Sequence, residues 1–179
     1  VNAKEYLAKI RHSSDILLNI VNDVLDISKI QAGELKLELR PFQPSVVILS
    51  VVEMLLCKAK EKSIRLEHSF TPEFNLWVSG DETRFKQIFI NLLNNAIKFT
   101  EHVQISIQGK VRKVAEDISE LTIEVKDTGI GISDENQQRI FTPFAQAEAS
   151  TTRQYGGTGI GLSIVKQLCR MMNGDIHLT

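Results

Sequence analysis

Three short stretches carry residues whose types and spacing could handle a charged ligand. The first is Asn91-Leu92-Leu93-Asn94-Asn95-Ala96-Ile97-Lys98-Phe99. On a helix, Asn91, Asn95 and Lys98 fall on one face, because residues three and four apart are neighbours. A carboxamide oxygen can coordinate a hard cation such as Mg²⁺, and an ammonium beside it can neutralise phosphate oxygens. The plainer reading is a solvated polar helix face. The second stretch, Asp127-Thr128-Gly129-Ile130-Gly131-Ile132, directly follows an apolar strand pattern. Its glycines let backbone approach a ligand closely, and an aspartate at a strand end can accept a hydrogen bond from an exocyclic amine such as that of adenine. The plainer reading is a tight turn with a capping residue. The third, Gly156-Gly157-Thr158-Gly159-Ile160-Gly161-Leu162-Ser163, opens a helical pattern. Glycines leading into a helix N-terminus form an anion site, and this run has more of them than a cap requires. Neither loop ends in Gly-Lys-Ser/Thr, and neither has GxGxxG spacing, which argues against a P-loop and a Rossmann site.

The elements that must position these stretches can be read from periodicity. Gly80-Asp81 opens a strong helix expected over about 82–99. Val103, Ile105 and Ile107 alternate with polar residues, as do Leu121, Ile123 and Val125. They predict two strands of a hairpin joined by the polar stretch around Lys113 to Ser119. A helix from about Gly159 to Met172 follows the third stretch, and Ile176 and Leu178 predict the start of a last strand. Upstream, Leu35, Leu37 and Leu39 predict a strand closed by Pro41 and Pro44. A helix over Ser45 to Lys62, a strand over Ile64 to Phe70 and a short strand over Leu76 to Val78 follow. Strands and helices mix without regular βαβ alternation, so the fold class is α+β, with helices on one face of a mixed sheet.

The first thirty residues read as one long amphipathic helix. Ala3, Ile10, Leu17 and Val24 repeat every seven residues, Tyr6, Ile20 and Ile27 continue the stripe, and Gly33 supplies a stop. Such a helix cannot bury its stripe alone, so a partner helix is expected.

Composition sets the outer limits. The 179 residues are 42% hydrophobic and 24% charged, which is a globular composition. A formal charge of −1 argues against a basic face for nucleic acid. Cys57 and Cys169 have apolar neighbours and no metal-ligand spacing, which predicts reduced core thiols in a reducing setting. No apolar run reaches membrane-spanning length and no signal-peptide pattern is present.

In order and spacing, the residues resemble the sensor histidine kinases. Asn91–Phe99, Asp127–Ile132, Phe141-Thr142-Pro143-Phe144 and Gly156–Ser163 look like that family's N, G1, F and G2 boxes. Gln146 to Tyr155 is similar to its ATP lid, and Ile27-Ser28-Lys29-Ile30-Gln31-Ala32-Gly33 looks like the end of its second dimerisation helix. The style is most like the hybrid kinases. The resemblance implies a Bergerat-type two-layer α/β sandwich over 34–179, shortened at its C-terminus, behind a partial dimerisation hairpin over 1–33. It implies ATP and Mg²⁺ as ligands. Asn95 would bind Mg²⁺ with Asn91 beside it, and Lys98 would meet phosphate. Asp127 would recognise adenine, with Gly129 and Gly131 shaping the pocket. Gly157, Thr158, Gly159, Gly161 and Leu162 would wrap the phosphates. Phe141 and Phe144 would anchor the lid, to which Arg153 and Tyr155 belong. The reaction implied is γ-phosphoryl transfer to a histidine, within a homodimer that passes the group to a response-regulator receiver domain. The setting implied is a cytoplasmic domain of a membrane-anchored protein.

Two departures matter. The family's acceptor box, His-acidic-Arg-Thr-Pro, is absent, since His12 is followed by Ser13-Ser14-Asp15. Val103 stands where a turn glycine is common. Two other readings compete: an ATPase of the same superfamily, and a nucleotide-free scaffold. Such ATPases place a glutamate, as general base, one turn before the Mg²⁺ asparagine, and here that position is Asn91.

Overall fold

The computed structural model describes residues 3–101, 103–137, 139–144 and 159–179. Arg153, Tyr155, Gly157 and Thr158 of the expected site lie outside the described residues, as do Gly156, His102 and the expected lid over 146–155.

The chain opens with α1 (Ala3–Gln31), followed by β1 (Arg40–Phe42), α2 (Pro44–Glu61), β2 (Ile64–Phe70) and a 3₁₀ turn at Pro72–Phe74. Next come β3 (Val78–Gly80), α3 (Glu82–Phe99), β4 (Val103–Ala115) and β5 (Ile118–Asp127). A one-turn helix α4 (Asp134–Gln137) precedes α5 (Gly161–Met171). A three-stranded sheet has the order β2-β4-β5, with β2 parallel and β5 antiparallel to β4. A separate pair joins β1 to β3. The mixed sheet with a helical layer is the α+β architecture expected.

The core lies between that sheet and α2, α3 and α5. Ile48, Val51, Leu93, Ile97, Ile105, Ile107, Ile164 and Leu168 are fully enclosed within it. Strand alternation sends Ile105 and Ile107 inward, while Gly109 leaves room for the stacked Phe70 and Phe74 rings. A Cβ at Gly109 would come within 2.7 Å of Phe70 and 2.8 Å of Phe74.

α3 starts where it does because Asp81 is a two-way cap. Its Oδ1 accepts from the Arg84 N–H at 3.0 Å, and its Oδ2 accepts from the Glu38 N–H at 3.1 Å. The buried carboxylate therefore fixes both the first turn of α3 and the chain leading to β1.

Five sequence expectations change. The strand expected at Leu35 to Leu39 forms no ladder; Pro41 lies inside β1, paired with Ser79, and Leu39 is exposed. The short strand near 76–78 sits two residues later, at Val78–Gly80. The β4–β5 hairpin runs on to a turn at Glu116-Asp117, because exposed residues on both faces can extend a ladder without any burial alternation. Among the described residues, no ladder forms at Ile176 to Leu178; Ile176 packs on the core instead. Cys57 is exposed rather than buried, and only Cys169 is shielded, its thiol pushed up to about 11 by burial and then by Asp175. Val103 adopts φ +94, a conformation that suits glycine and strains a β-branched residue.

Candidate functional site

α3 forms one wall of the candidate site. Asn91, Asn95 and Lys98 are all half-buried along it, while Leu93, Ala96 and Ile97 face the core. The side chains expected to share a face do so. Burial disfavours the charged form of Lys98 and pulls its pKa down, with the nearby Lys58 ammonium adding to the effect. Lys58 itself donates from Nζ to Asn94 Oδ1 at 2.7 Å.

The first glycine loop docks onto the end of that wall. A Cβ on Gly129 would lie 2.6 Å from the Phe99 carbonyl oxygen and 2.7 Å from Asp127 Oδ1, so only glycine fits there. The Gly129 N–H donates to Asp127 Oδ1 at 2.8 Å. That contact orients the exposed carboxylate, whose Oδ2 accepts no protein hydrogen bond among the described residues. Thr128 pins the loop to β4: its hydroxyl donates to the Gln104 carbonyl at 3.3 Å and accepts from the Gln104 N–H at 3.5 Å. Gly131 takes φ +70 as the loop turns away.

The third stretch meets the middle of α3. Asn91 Nδ2 donates to the Gly161 carbonyl at 3.4 Å. Gly161 opens α5, and the residue before it, Ile160, supplies no side-chain cap. Among the described residues no side-chain cap is seen at this helix start, which lies beside a carboxamide and suits a negatively charged group. Gly159 has φ +69, Leu162 is half-buried in the first turn, and Ser163 closes that turn by donating to the Ile160 carbonyl at 2.7 Å.

The aromatic pair separates. Phe141 is half-buried, with Lys166 Nζ 4.9 Å from its ring centroid. Phe144 is 67% exposed and has φ +62, so it is not a core aromatic. Its N–H donates to the Gly159 carbonyl at 3.1 Å.

Residues that sequence reasoning missed surround these. Lys62 donates from Nζ to the carbonyls of Ile97 at 2.8 Å, Lys98 at 2.9 Å and Thr100 at 3.4 Å. Basic residues at the end of α2 are a visible sequence signal, but it points to that helix and not to α3. Lys58 and Thr128 leave no sequence signal beyond their polarity.

A hard divalent cation suits the donor set. Neutral carboxamide oxygens, a helix start and a half-buried ammonium match a cation carried in on phosphates, rather than one in an all-protein cage. No cluster of three His, Cys, Asp or Glu side chains that could hold a metal occurs among the described residues. No helix among them is long and apolar enough to cross a membrane.

Comparison with known proteins gives concordant matches. The family of histidine kinase-, DNA gyrase B-, and HSP90-like ATPases matches residues 80–179. Hybrid signal transduction histidine kinase B of Dictyostelium discoideum is 39% identical over 175 residues, 98% of this chain. The chain spans only 9% of that relative's length. The crystal structure of full-length ShkA in complex with AMPPNP aligns with a TM-score of 0.76 at 31% identity, covering 95% of this chain and 34% of that one. Histidine kinase ThkA in complex with response regulator protein TrrA aligns at 0.68 with 26% identity, covering 96% of this chain and 45% of that one.

Proposed function

We propose, for a chain that belongs to the histidine kinase-, DNA gyrase B- and HSP90-like ATPase family, that it is the ATP-binding catalytic portion of a protein-histidine kinase. Residues 34–179 form the catalytic unit and 1–33 the second helix of a dimerisation hairpin. The observation that carries the kinase reading is the amide of Asn91. One helical turn before Asn95, a hydrolase of this superfamily would need a carboxylate to take a proton from water. A carboxamide cannot take it, and here its Nδ2 already donates to the Gly161 carbonyl.

Each side chain then has a task in binding and orientation. Asp127 Oδ2 accepts from the adenine exocyclic amine, while Gly129 holds Oδ1 and leaves backbone room for the ring. Gly131 completes that side of the pocket. Asn95, with Asn91, would hold Mg²⁺ bound to the phosphates; bound there, the ion supplies neutralisation of the charge developing on the transferred group. Lys98 contacts phosphate, and its burial strengthens that contact by lowering the local dielectric. The start of α5, with Gly159, Gly161 and Leu162, receives phosphate oxygens on backbone N–H groups. Gly157 and Thr158 extend that cradle. Phe141 and Phe144 anchor a lid that includes Arg153 and Tyr155 and excludes water during transfer.

The chemistry of the parent protein is positioning and charge neutralisation, with an acceptor histidine supplied from outside this chain. ShkA was solved with AMPPNP and ThkA with TrrA, which supports a nucleotide ligand and a response-regulator partner here. The exposed stripe of α1 supports a homodimer through a helical hairpin.

Mixing the chain with Mg·ATP and a separate helical hairpin bearing an acceptor histidine tests the reaction. Acid-labile, base-stable phosphate on the hairpin, with little free phosphate, is the expected result. Rapid phosphate release without labelling would favour an ATPase.

A further inference from the structure

Lys62 ends α2, and its ammonium reaches across to the end of α3. The last carbonyls of a helix have no intrahelical partner, and an ammonium has three N–H groups to donate. Here Nζ meets the carbonyls of Ile97, Lys98 and Thr100, at 2.8, 2.9 and 3.4 Å. The Thr100 N–H closes the turn onto the Ala96 carbonyl at 3.0 Å. A cation at this end of a helix also complements the helix dipole.

The turn so held is the part of α3 on which the adenine side of the pocket rests. The Phe99 carbonyl is the surface on which Gly129 packs, too close for any Cβ. Gly129 in turn fixes the Asp127 carboxylate through its N–H. Lys98 projects from the same turn. A tilt of a few tenths of an ångström at residues 97–100 would reach both the adenine acceptor and the phosphate cation.

We propose that Lys62 is a positioning residue for the nucleotide pocket: by gathering the carbonyls of Ile97, Lys98 and Thr100, it sets the surface that holds Gly129 and Asp127 in register with Lys98. This rests on the nucleotide-binding reading above. Lys62 itself touches neither ligand nor reacting atoms.

The test uses the full chain with Lys62→Met and Lys62→Arg. Three readouts are taken: thermal unfolding without ligand and, at a temperature where each protein is fully folded, calorimetric Kd for Mg·ATP and the ¹H–¹⁵N resonance of the Gly129 amide without ligand. Lys62→Met is expected to shift the Gly129 resonance and weaken Mg·ATP binding roughly tenfold, as loss of charge-assisted hydrogen bonds does. Lys62→Arg, which keeps charge and donors, should recover most of both. A Lys62→Met protein that melts lower but keeps its Kd and its Gly129 resonance would overturn the proposal and leave Lys62 a helix cap. Should Lys62→Met fail to fold, Lys62→Gln is read in the same way. If the parent chain binds no Mg·ATP, the pocket reading fails instead, and the ligand-free Gly129 resonance still decides whether Lys62 controls the loop.

Discussion

α1 and α3 are both long amphipathic helices, yet only one buries its apolar face. Along α3, Phe85, Ile88, Phe89, Leu93, Ala96 and Ile97 are buried against α2, α5 and the sheet. Along α1, Tyr6, Ile10, Leu17, Leu18, Val21 and Leu25 are exposed, and among its described side chains Ile27, near the end, is the first to reach the core. The last turns of α1 dock through polar groups as well. Asp26 Oδ2 accepts from Arg84 Nη1 at 2.9 Å and from Gln87 Nε2 at 2.7 Å. An apolar repeat therefore says which face of a helix wants cover, but not what covers it. For α3 the cover is in this chain; for most of α1 it is not among the described residues.

The largest expected effect that sharpens this contrast comes from matched truncations. Leu93→Ala removes a fully enclosed side chain and should cost about 2–5 kcal/mol in denaturant unfolding. Leu17→Ala, on the exposed stripe, should change stability by under about 0.5 kcal/mol in the dilute chain. Equal losses would mean that α1 is already covered in solution.

A second effect falls on the start of α3. Asp81→Ala removes the acceptor for both the Arg84 and Glu38 N–H groups and should cost about 2 kcal/mol. Hydrogen exchange should show the loss in the first turn of α3, with α1 residues before Asp23 unchanged.

The smallest effect lies where the two helices meet. Burial, then the neighbouring Asp26, raises the Asp23 carboxyl above the usual range. A carboxyl raised in the folded state favours folding while protonated, and that contribution is lost as pH rises through its folded pKa. Asp23→Asn should therefore match the parent near pH 3 and be more stable near pH 7. The gain should be under about 1 kcal/mol because the group is partly exposed. A difference independent of pH would break this account of the docked end.

The same contrast explains how much could be read in advance. α3 was legible to the residue, because Asp81 marks its start and apolar spacing continues to Phe99. Asn91, Asn95 and Lys98 share a face as helical spacing requires, and Gly129 sits where a Cβ is impossible. The alternating leucines at 35–39 misled, because alternation describes a half-buried strand only if a ladder partner exists. Here the Glu38 N–H goes to the Asp81 side chain instead. The hairpin turns within the polar stretch where it is expected, but its ladder runs further into that stretch than alternation indicates, because it persists where both faces are exposed. Lys62 could not be found from sequence, since its partners are backbone carbonyls about 36 residues away, which no residue type announces. The turn glycine missing at Val103 was visible, and φ +94 there supplies its physical meaning.

The most direct test of the nucleotide site is thermal unfolding of the chain with and without Mg·ATP, alongside Asp127→Asn and Asn95→Ala. At about 100 times its dissociation constant, ligand should stabilise the parent by roughly 2.7 kcal/mol, and neither variant should respond at that concentration. A parent chain that melts cooperatively and does not shift with Mg·ATP would contradict the assignment.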